Sequence, residues 1–250
     1  MNKPLLEIKN VSKIYSDEVG YKIHLLENIS FSLKKGKVTT FLAPKGSGKT
    51  SLLNIIAGLE KPTTGSVIKN CNKVAFIPTE PSSFPWLNVE ENIKFASKLG
   101  NAEIKKIITL VGLEGYEDHF PNNKSEGFRF RIALGRALAY QPEIIVIDEP
   151  FNNLNSTTRE EIYLMLRDVI EETDVTIVWG STNISEAIFL SDRIIIMKKK
   201  PGEIIDEIEI SFTGKRDINT ITGNDFINYR NKIEEIFYKK LNKHLYRFSV

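Results

Sequence analysis

The run Phe41-Leu42-Ala43-Pro44-Lys45-Gly46-Ser47-Gly48-Lys49-Thr50 constrains this chain more than any other stretch. An apolar strand end passes into a glycine-rich loop. Lys49 and Thr50 then open a helix with Leu52, Leu53, Ile55 and Ile56 at helical spacing. Strand, loop and helix in that order build a cradle whose backbone N–H groups wrap the phosphates of a nucleotide. In such a cradle the residues Ala43, Pro44, Lys45, Gly46, Ser47, Gly48, Lys49, Thr50 and Ser51 surround the ligand. Lys49 reaches the β- and γ-phosphates, and the Thr50 hydroxyl ligates Mg²⁺. The positive end of the following helix adds to the attraction. The pattern normally opens with glycine, and Ala43 stands there instead. Pro44 biases Ala43 toward extended geometry, which suits a strand end, so the loop is expected to survive.

A second motif completes the first. Ile144-Ile145-Val146-Ile147 is an apolar run that ends in Asp148-Glu149-Pro150. By itself it reads equally as an acidic turn after a core strand. Beside a phosphate-binding loop it reads as the second half of a nucleotide site. Asp148 then holds Mg²⁺ through a water, and Glu149 polarises the attacking water as general base.

Composition narrows the classes. The 250 residues are 41% hydrophobic and 26% charged, enough for one large core or a core plus a subdomain. A net charge of +2 leaves no footprint for nucleic acid. Cys71 is alone, so no internal disulfide forms, which fits a reducing compartment. No apolar run approaches the about 18 residues that span a bilayer, and Met1–Glu7 lacks the core of a signal peptide. The chain is expected in the cytosol, or attached to a membrane through another protein.

Periodicity sketches the rest. Residues 5–14 and 23–33 read as alternating strands, and Val38–Leu42 as a buried strand feeding the loop. The next helix ends near Gly58, a plausible C-cap. Val67–Ile77 reads as one or two short strands. From Asn88 to Tyr140 the period is helical, broken at 112–115 and 121–124. Ile144–Ile147 has the unbroken apolar character of a parallel strand covered on both faces. A helix over 156–173, a strand over Val175–Trp179, a short helix over Glu186–Leu190 and a hairpin of Ile194–Met197 with Glu203–Ile210 follow. Lys198–Lys200 reads as that hairpin's solvated turn. The polar last forty residues are expected to be helical around Asn224–Leu241.

With these residues in view, the chain resembles the nucleotide-binding subunits of ABC transporters along essentially its whole length. Within that family it is most similar to the ATPases of nitrate, sulfonate, taurine and pyrimidine-precursor importers. The matching phrases are Gly58-Leu59-Glu60-Lys61-Pro62-Thr63-Thr64-Gly65, Glu80-Pro81 with Phe84-Pro85-Trp86-Leu87-Asn88-Val89, Ile132-Ala133-Leu134-Gly135-Arg136-Ala137-Leu138, and Glu186-Ala187-Ile188-Phe189-Leu190-Ser191-Asp192-Arg193. The resemblance implies an α/β fold: a P-loop core with a mixed central sheet (1–78 and 141–211), an antiparallel β subdomain, an inserted helical subdomain (79–140) and a C-terminal helical tail (212–250). It implies ATP and Mg²⁺ as ligands, a second nucleotide-binding subunit and membrane permease subunits as partners, and a place on the inner face of the membrane. It puts Tyr15 where an aromatic ring stacks on adenine, a contact worth about 1–3 kcal/mol. Phe84-Pro85-Trp86 is either a core plug or an apolar lip for a coupling helix of the permease.

The chain departs from its family at diagnostic positions. The signature LSGG is replaced by Lys124-Ser125-Glu126-Gly127-Phe128. Ser125 and Gly127 keep a hydroxyl and a flexible N–H for a partner's γ-phosphate. Glu126 brings a carboxylate, which at ~5 Å and an effective dielectric of ~20 repels each unit of phosphate charge by about 3 kcal/mol. The glutamine that ligates Mg²⁺ falls at Thr79, too short for the same direct role. The switch histidine falls at Thr182, and His24, His119 and His244 lie outside that motif. The loop after Glu149 carries Asn155 where an aspartate is usual. Groups that grip the chain's own phosphates and metal are kept, and groups that sense the γ-phosphate or act across a dimer are altered. Two readings follow: an importer ATPase with slow hydrolysis, or a subunit that binds ATP without hydrolysing it and acts as a conformational partner. A soluble DNA-repair or translation ATPase is disfavoured by the near-neutral charge and the lack of a coiled-coil insert.

Overall fold

A computed structural model describes residues 3–16, 20–80, 82–95, 97–122, 124–149, 154 and 156–242. Two sheets form its frame. In the smaller, β2 (Lys22–Leu33), β1 (Leu6–Ser16) and β4 (Thr64–Lys69) lie side by side and antiparallel. In the larger, the order is β5 (Val74–Ile77), β6 (Ile144–Asp148), β7 (Thr176–Ser181), β3 (Val38–Leu42), β8 (Arg193–Met197) and β9 (Ile204–Glu209). The first five run parallel, and β9 turns back antiparallel on β8, so the sheet is mixed as expected.

The unbroken apolar strands are explained by what covers them. Side chains alternate across a sheet, so a strand buried on both faces needs apolar residues at every position. In β6, Ile144 and Val146 join one core while Ile145 and Ile147 join the other. β8 divides the same way, with Ile195 and Met197 against Ile194 and Ile196. One core holds α1 (Lys49–Ala57) and the antiparallel sheet, through Leu52, Leu53, Ile56, Leu6, Ile8 and Phe31. The other gathers the remaining helices: α2 (Val89–Lys94), α3 (Asn101–Leu110), α4 (Glu126–Ala139), α5 (Ser156–Glu172), α6 (Ile184–Leu190) and α7 (Asn224–Asn242).

The sequence pattern located nearly every element. Gly58 does cap α1, at φ +84°, and the 198–203 turn does join β8 to β9, with Lys198 paired to Glu203 at 2.8 Å. One break in the helical stretch was not anticipated: α2 stops at Lys94, and α3 starts only after Gly100, whose extended backbone serves as N-cap. Asn92 helps fix this region. Its buried side chain accepts from Phe84 N–H and donates to the Phe84, Leu87 and Asn88 carbonyls.

The β8–β9 turn also braces the phosphate loop from below. Gly202 donates to the Leu25 carbonyl and accepts from Glu27 N–H, both at 2.9 Å. A Cβ on Gly202 would lie 2.0 Å from the Ser47 carbonyl oxygen. Backbone rather than a flexible side chain blocks it, so Gly202→Ala is expected to cost about 1–3 kcal/mol of stability by overpacking. It is also expected to weaken ATP binding, because the displaced atoms belong to the loop. Urea unfolding and nucleotide titration of the variant check both effects.

Candidate functional site

The loop leaves β3 at Leu42 and crosses Ala43 to Gly48 before α1 begins at Lys49. Ala43 N–H donates to the Ser181 carbonyl at 3.1 Å, and Ser47 N–H to Pro44 at 3.2 Å, which closes the loop on itself. Gly48 is the N-cap at φ +83°, and its missing Cβ would lie 2.8 Å from Leu26 Cδ2. Only glycine meets both demands. No side chain caps α1, so the N–H groups of its first turn face outward without helical acceptors. That is the geometry in which an anion is bound.

Asp148 and Glu149 arrive from the end of β6. Glu149 leaves the strand at φ +43°, a left-handed conformation costly for a side-chain-bearing residue, and its N–H donates to the Gly180 carbonyl. The turn aims its carboxylate at α1. Lys49, 6% exposed, reaches Glu149 Oε2 at 2.8 Å, and the Thr182 hydroxyl donates to Oε1. β7 lies between β3 and β6, so this ion pair crosses over it. The crossing point is Gly180, where a Cβ would stand 2.6 Å from Leu53 Cδ1, 3.1 Å from Asp148 Oδ1 and 3.3 Å from Lys49 Cδ.

Asp148 is buried. Burial raises its carboxyl above the usual range, while the Thr50 hydroxyl and the Lys49 ammonium pull it back down. Thr79 donates to Oδ2 at 3.4 Å, and Oδ1 has no hydrogen-bond partner among the described residues. The Ser47 hydroxyl is likewise buried and unpartnered. A carboxylate oxygen left bare beside two threonine hydroxyls suits a hard divalent cation that completes its shell with water and phosphate oxygens. One carboxylate and two threonine hydroxyls are all oxygen donors, the kind that hard cations take up in preference to soft ones.

Thus Lys49, Asp148, Glu149 and Thr79 meet at one place, with Thr50 beside Asp148. Tyr15 flanks α1. Its ring is 42% exposed, its hydroxyl contacts Ser51 Oγ at 3.2 Å and Glu60, and the Lys13 ammonium lies 4.9 Å from its centroid. Ser125 is the N-cap of α4, accepting from Phe128 N–H at 3.2 Å. Gly127 is buried, and a Cβ there would meet Thr158 Cγ2 at 2.9 Å and Ile162 Cδ1 at 3.1 Å, so α5 also requires this glycine. Asn152, Asn153 and Asn155 lie outside the described residues. Phe84 packs against Trp86, Phe95 and the Arg136 guanidinium, while Trp86 itself is 70% exposed and plugs no core.

Sequence reasoning passed over Gly180 and Glu186. Glu186 is buried on α6, accepts from the Ser181 hydroxyl, and lies in the field of Glu149. Burial first, and Glu149 in addition, push its carboxyl up to about 7, against the pull of Ser181, Trp179 and Arg159. The only signal was a lone glutamate facing the apolar side of a short helix.

Fold and site together define a P-loop ATP-binding cassette. The profile of the ABC transporter family matches residues 26–152. The chain is 37% identical to the aliphatic sulfonates import ATP-binding protein SsuB of Bacillus thuringiensis subsp. konkukian over 93% of its own length and 95% of that protein. It is 32% identical to the taurine import ATP-binding protein TauB of Pelagibacter ubique over 82% of each. Among solved structures it resembles the dimeric structure of MJ0796, a bacterial ABC transporter cassette, at TM-score 0.71 and 30% identity, covering 83% of this chain and 100% of that one. The same cassette in a post-hydrolysis state bound to ADP and Pi matches at TM-score 0.70, 31% identity and the same coverage. The chain therefore belongs to the ABC transporter ATP-binding family.

The Glu186 carboxyl gives this site a testable pH dependence. Its folded value lies above its ordinary 4.5, so the folded chain holds a proton that the unfolded chain has lost. The stability this brings is complete below pH 4.5 and is lost as the pH rises through about 7. Glu186→Gln stays neutral throughout. Its stability relative to the parent is expected to rise from pH 5 to pH 8, by at most roughly 3 kcal/mol. Chemical unfolding at the two pH values measures the gap, and a gap that stays constant would show that Glu186 is ionised throughout.

Proposed function

We propose that this chain is the ATP-hydrolysing subunit of an ABC importer for a small solute of the sulfonate or taurine kind. The observation that carries the reading is the meeting of Lys49 and Glu149 across Gly180, beside Asp148, Thr50 and Thr79. Likeness to SsuB and TauB supports the class of cargo.

The roles follow from position. Phosphates enter at the outward N–H groups between Pro44 and Ser51, and Lys49 exchanges Glu149 for the β- and γ-phosphate oxygens. That exchange releases Glu149 to accept a proton from water, with Thr182 still holding the other carboxylate oxygen. Thr182 offers one neutral donor where the family has an imidazole, so the charge developing on the γ-phosphate receives less help and hydrolysis is slow. Thr50, Asp148 and Thr79 would hold Mg²⁺, which when bound neutralises phosphate charge. Tyr15 stacks on the adenine. Across a dimer with a second nucleotide-binding subunit, Ser125 and Gly127 approach the partner's ATP, a pairing supported by the dimeric MJ0796.

We assign residues 1–78 and 141–211 to the ATP-binding core, 79–140 to the helical part that meets the permease, and 212–250 to a C-terminal tail. Exposed Trp86 and Phe95, with half-buried Phe84 between them in contact with both, form the apolar lip for a permease segment, and Phe84 and Phe95 line a cleft of about 330 Å³. No described helix is long and apolar enough to cross a membrane, so attachment at the inner face runs through such a partner.

ATP turnover tests the reading. Glu149→Gln is expected to lower it by about 10²–10⁴-fold while nucleotide binding persists. Equal turnover in the two proteins would remove Glu149 as the base, and tight binding without turnover in the parent, permease included, would favour a non-hydrolysing subunit.

A further inference from the structure

The opposite end of the central sheet carries a second concentration of charge. Lys37 directly precedes β3, and Arg193 opens β8, so both stand a full strand's length from the phosphate loop. Between them and residues 209–216 lies a cleft of about 370 Å³. Lys34, Lys37, Arg167, Arg193 and Arg216 line it, against only Asp192 and Glu209.

Each of the two deepest guanidinium groups has one carboxylate, held at the long edge of ion-pair distance. Arg216 is 5% exposed; its Nη1 donates to the carbonyls of Phe189 at 2.8 Å and Ser191 at 2.7 Å. Its Nη2 stands 3.8 Å from Asp192 Oδ1, a loose contact, and Asp192 Oδ2 is already taken by Val38 N–H at 2.9 Å. Arg167 sits close enough to repel it: burial first, then Arg167, bring the Arg216 guanidinium down to about 10 against the pull of Asp192, Tyr229 and Glu171. Arg167 donates to the Leu190 carbonyl at 3.3 Å and stands 3.6 Å from Glu171, but its Nε is buried with no hydrogen-bond partner among the described residues. Arg193 is engaged by Glu207 and the Ser32 carbonyl, and Lys34 by Glu209 at 3.2 Å. Lys37, exposed at the rim, has no ion pair among the described residues.

We propose that this cleft is a binding site for a small tetrahedral oxyanion of the sulfate, phosphate or sulfonate class. Two guanidinium groups brought together at low dielectric repel, and one oxyanion held in the cleft by Arg167, Arg216 and Lys37 relieves that repulsion. Guanidinium donors fit tetrahedral oxygens. The site is separate from the nucleotide cradle and does not rest on the transport reading.

Calorimetric titration of the full chain with sulfate, phosphate and methanesulfonate, against chloride at matched ionic strength, tests it. The phosphate loop also attracts anions, so the titrations are repeated on Lys49→Ala. One site is expected to persist in Lys49→Ala and to weaken by at least about tenfold in Lys37→Glu and in Arg167→Gln. Lys37 is at the surface, so its variant decides the matter even where Arg167→Gln does not fold. Binding of sulfate and phosphate alone would identify a dianion as the ligand; equal binding of methanesulfonate would identify a sulfonate head group. No heat beyond that of chloride, or binding abolished by Lys49→Ala and untouched by Lys37→Glu, would overturn the proposal.

Discussion

Lys49 touches Glu149 only because residue 180 has no side chain. Lys49 opens the helix that follows β3 and Glu149 follows β6, and β7 runs between those two strands. Any Cβ at Gly180 would press on Leu53, Asp148 and Lys49 together. Everything in the site depends on this one gap. It lets α1 settle against the sheet, it lets the ammonium cross to the far carboxylate, and it leaves Asp148 facing the loop. The ligand site thus falls at the C-terminal ends of parallel strands, where open α/β sheets leave room for one.

The ion pair itself has two states built into its chemistry. A buried lysine and a carboxylate satisfy each other at 2.8 Å, so neither group is left bare before phosphate arrives. A triphosphate offers Lys49 more negative charge than one carboxylate does. On the proposed reading, Glu149 is then free to act on water while Thr182 keeps its orientation. The strained backbone at Glu149, φ +43°, is the local cost of aiming the carboxylate inward.

Much of this was legible in the order of residues. The phosphate loop, the apolar strand ending in Asp148-Glu149, the Gly58 cap and the β8–β9 turn are local patterns whose physics is complete within a few residues. Ile144–Ile147 announced a strand covered on both faces because it lacks polar alternation. What escaped was set by distant contacts. Gly180 in Val178-Trp179-Gly180-Ser181 looks like an ordinary strand glycine until α1 is packed on it. Arg216 is one more cation in a polar tail until the carbonyls at the end of α6 close around it. Glu186 is a surface glutamate by composition and a buried acid by packing. Gly127 was read for its N–H, and α5 gives it a second reason to be glycine. The break at 95–100 was hidden because the flanking helices share one periodicity.

The division of the interior into two cores has a mechanical meaning. The phosphate loop and α1 are rooted in the apolar layer shared with the antiparallel sheet, whereas α2, α3 and α4 are rooted in the layer across the strands. The central sheet is a stiff wall between them. The apolar support of the phosphate loop and that of the helical group therefore share no buried side chain, and each can be altered by substitution on its own side of the partition.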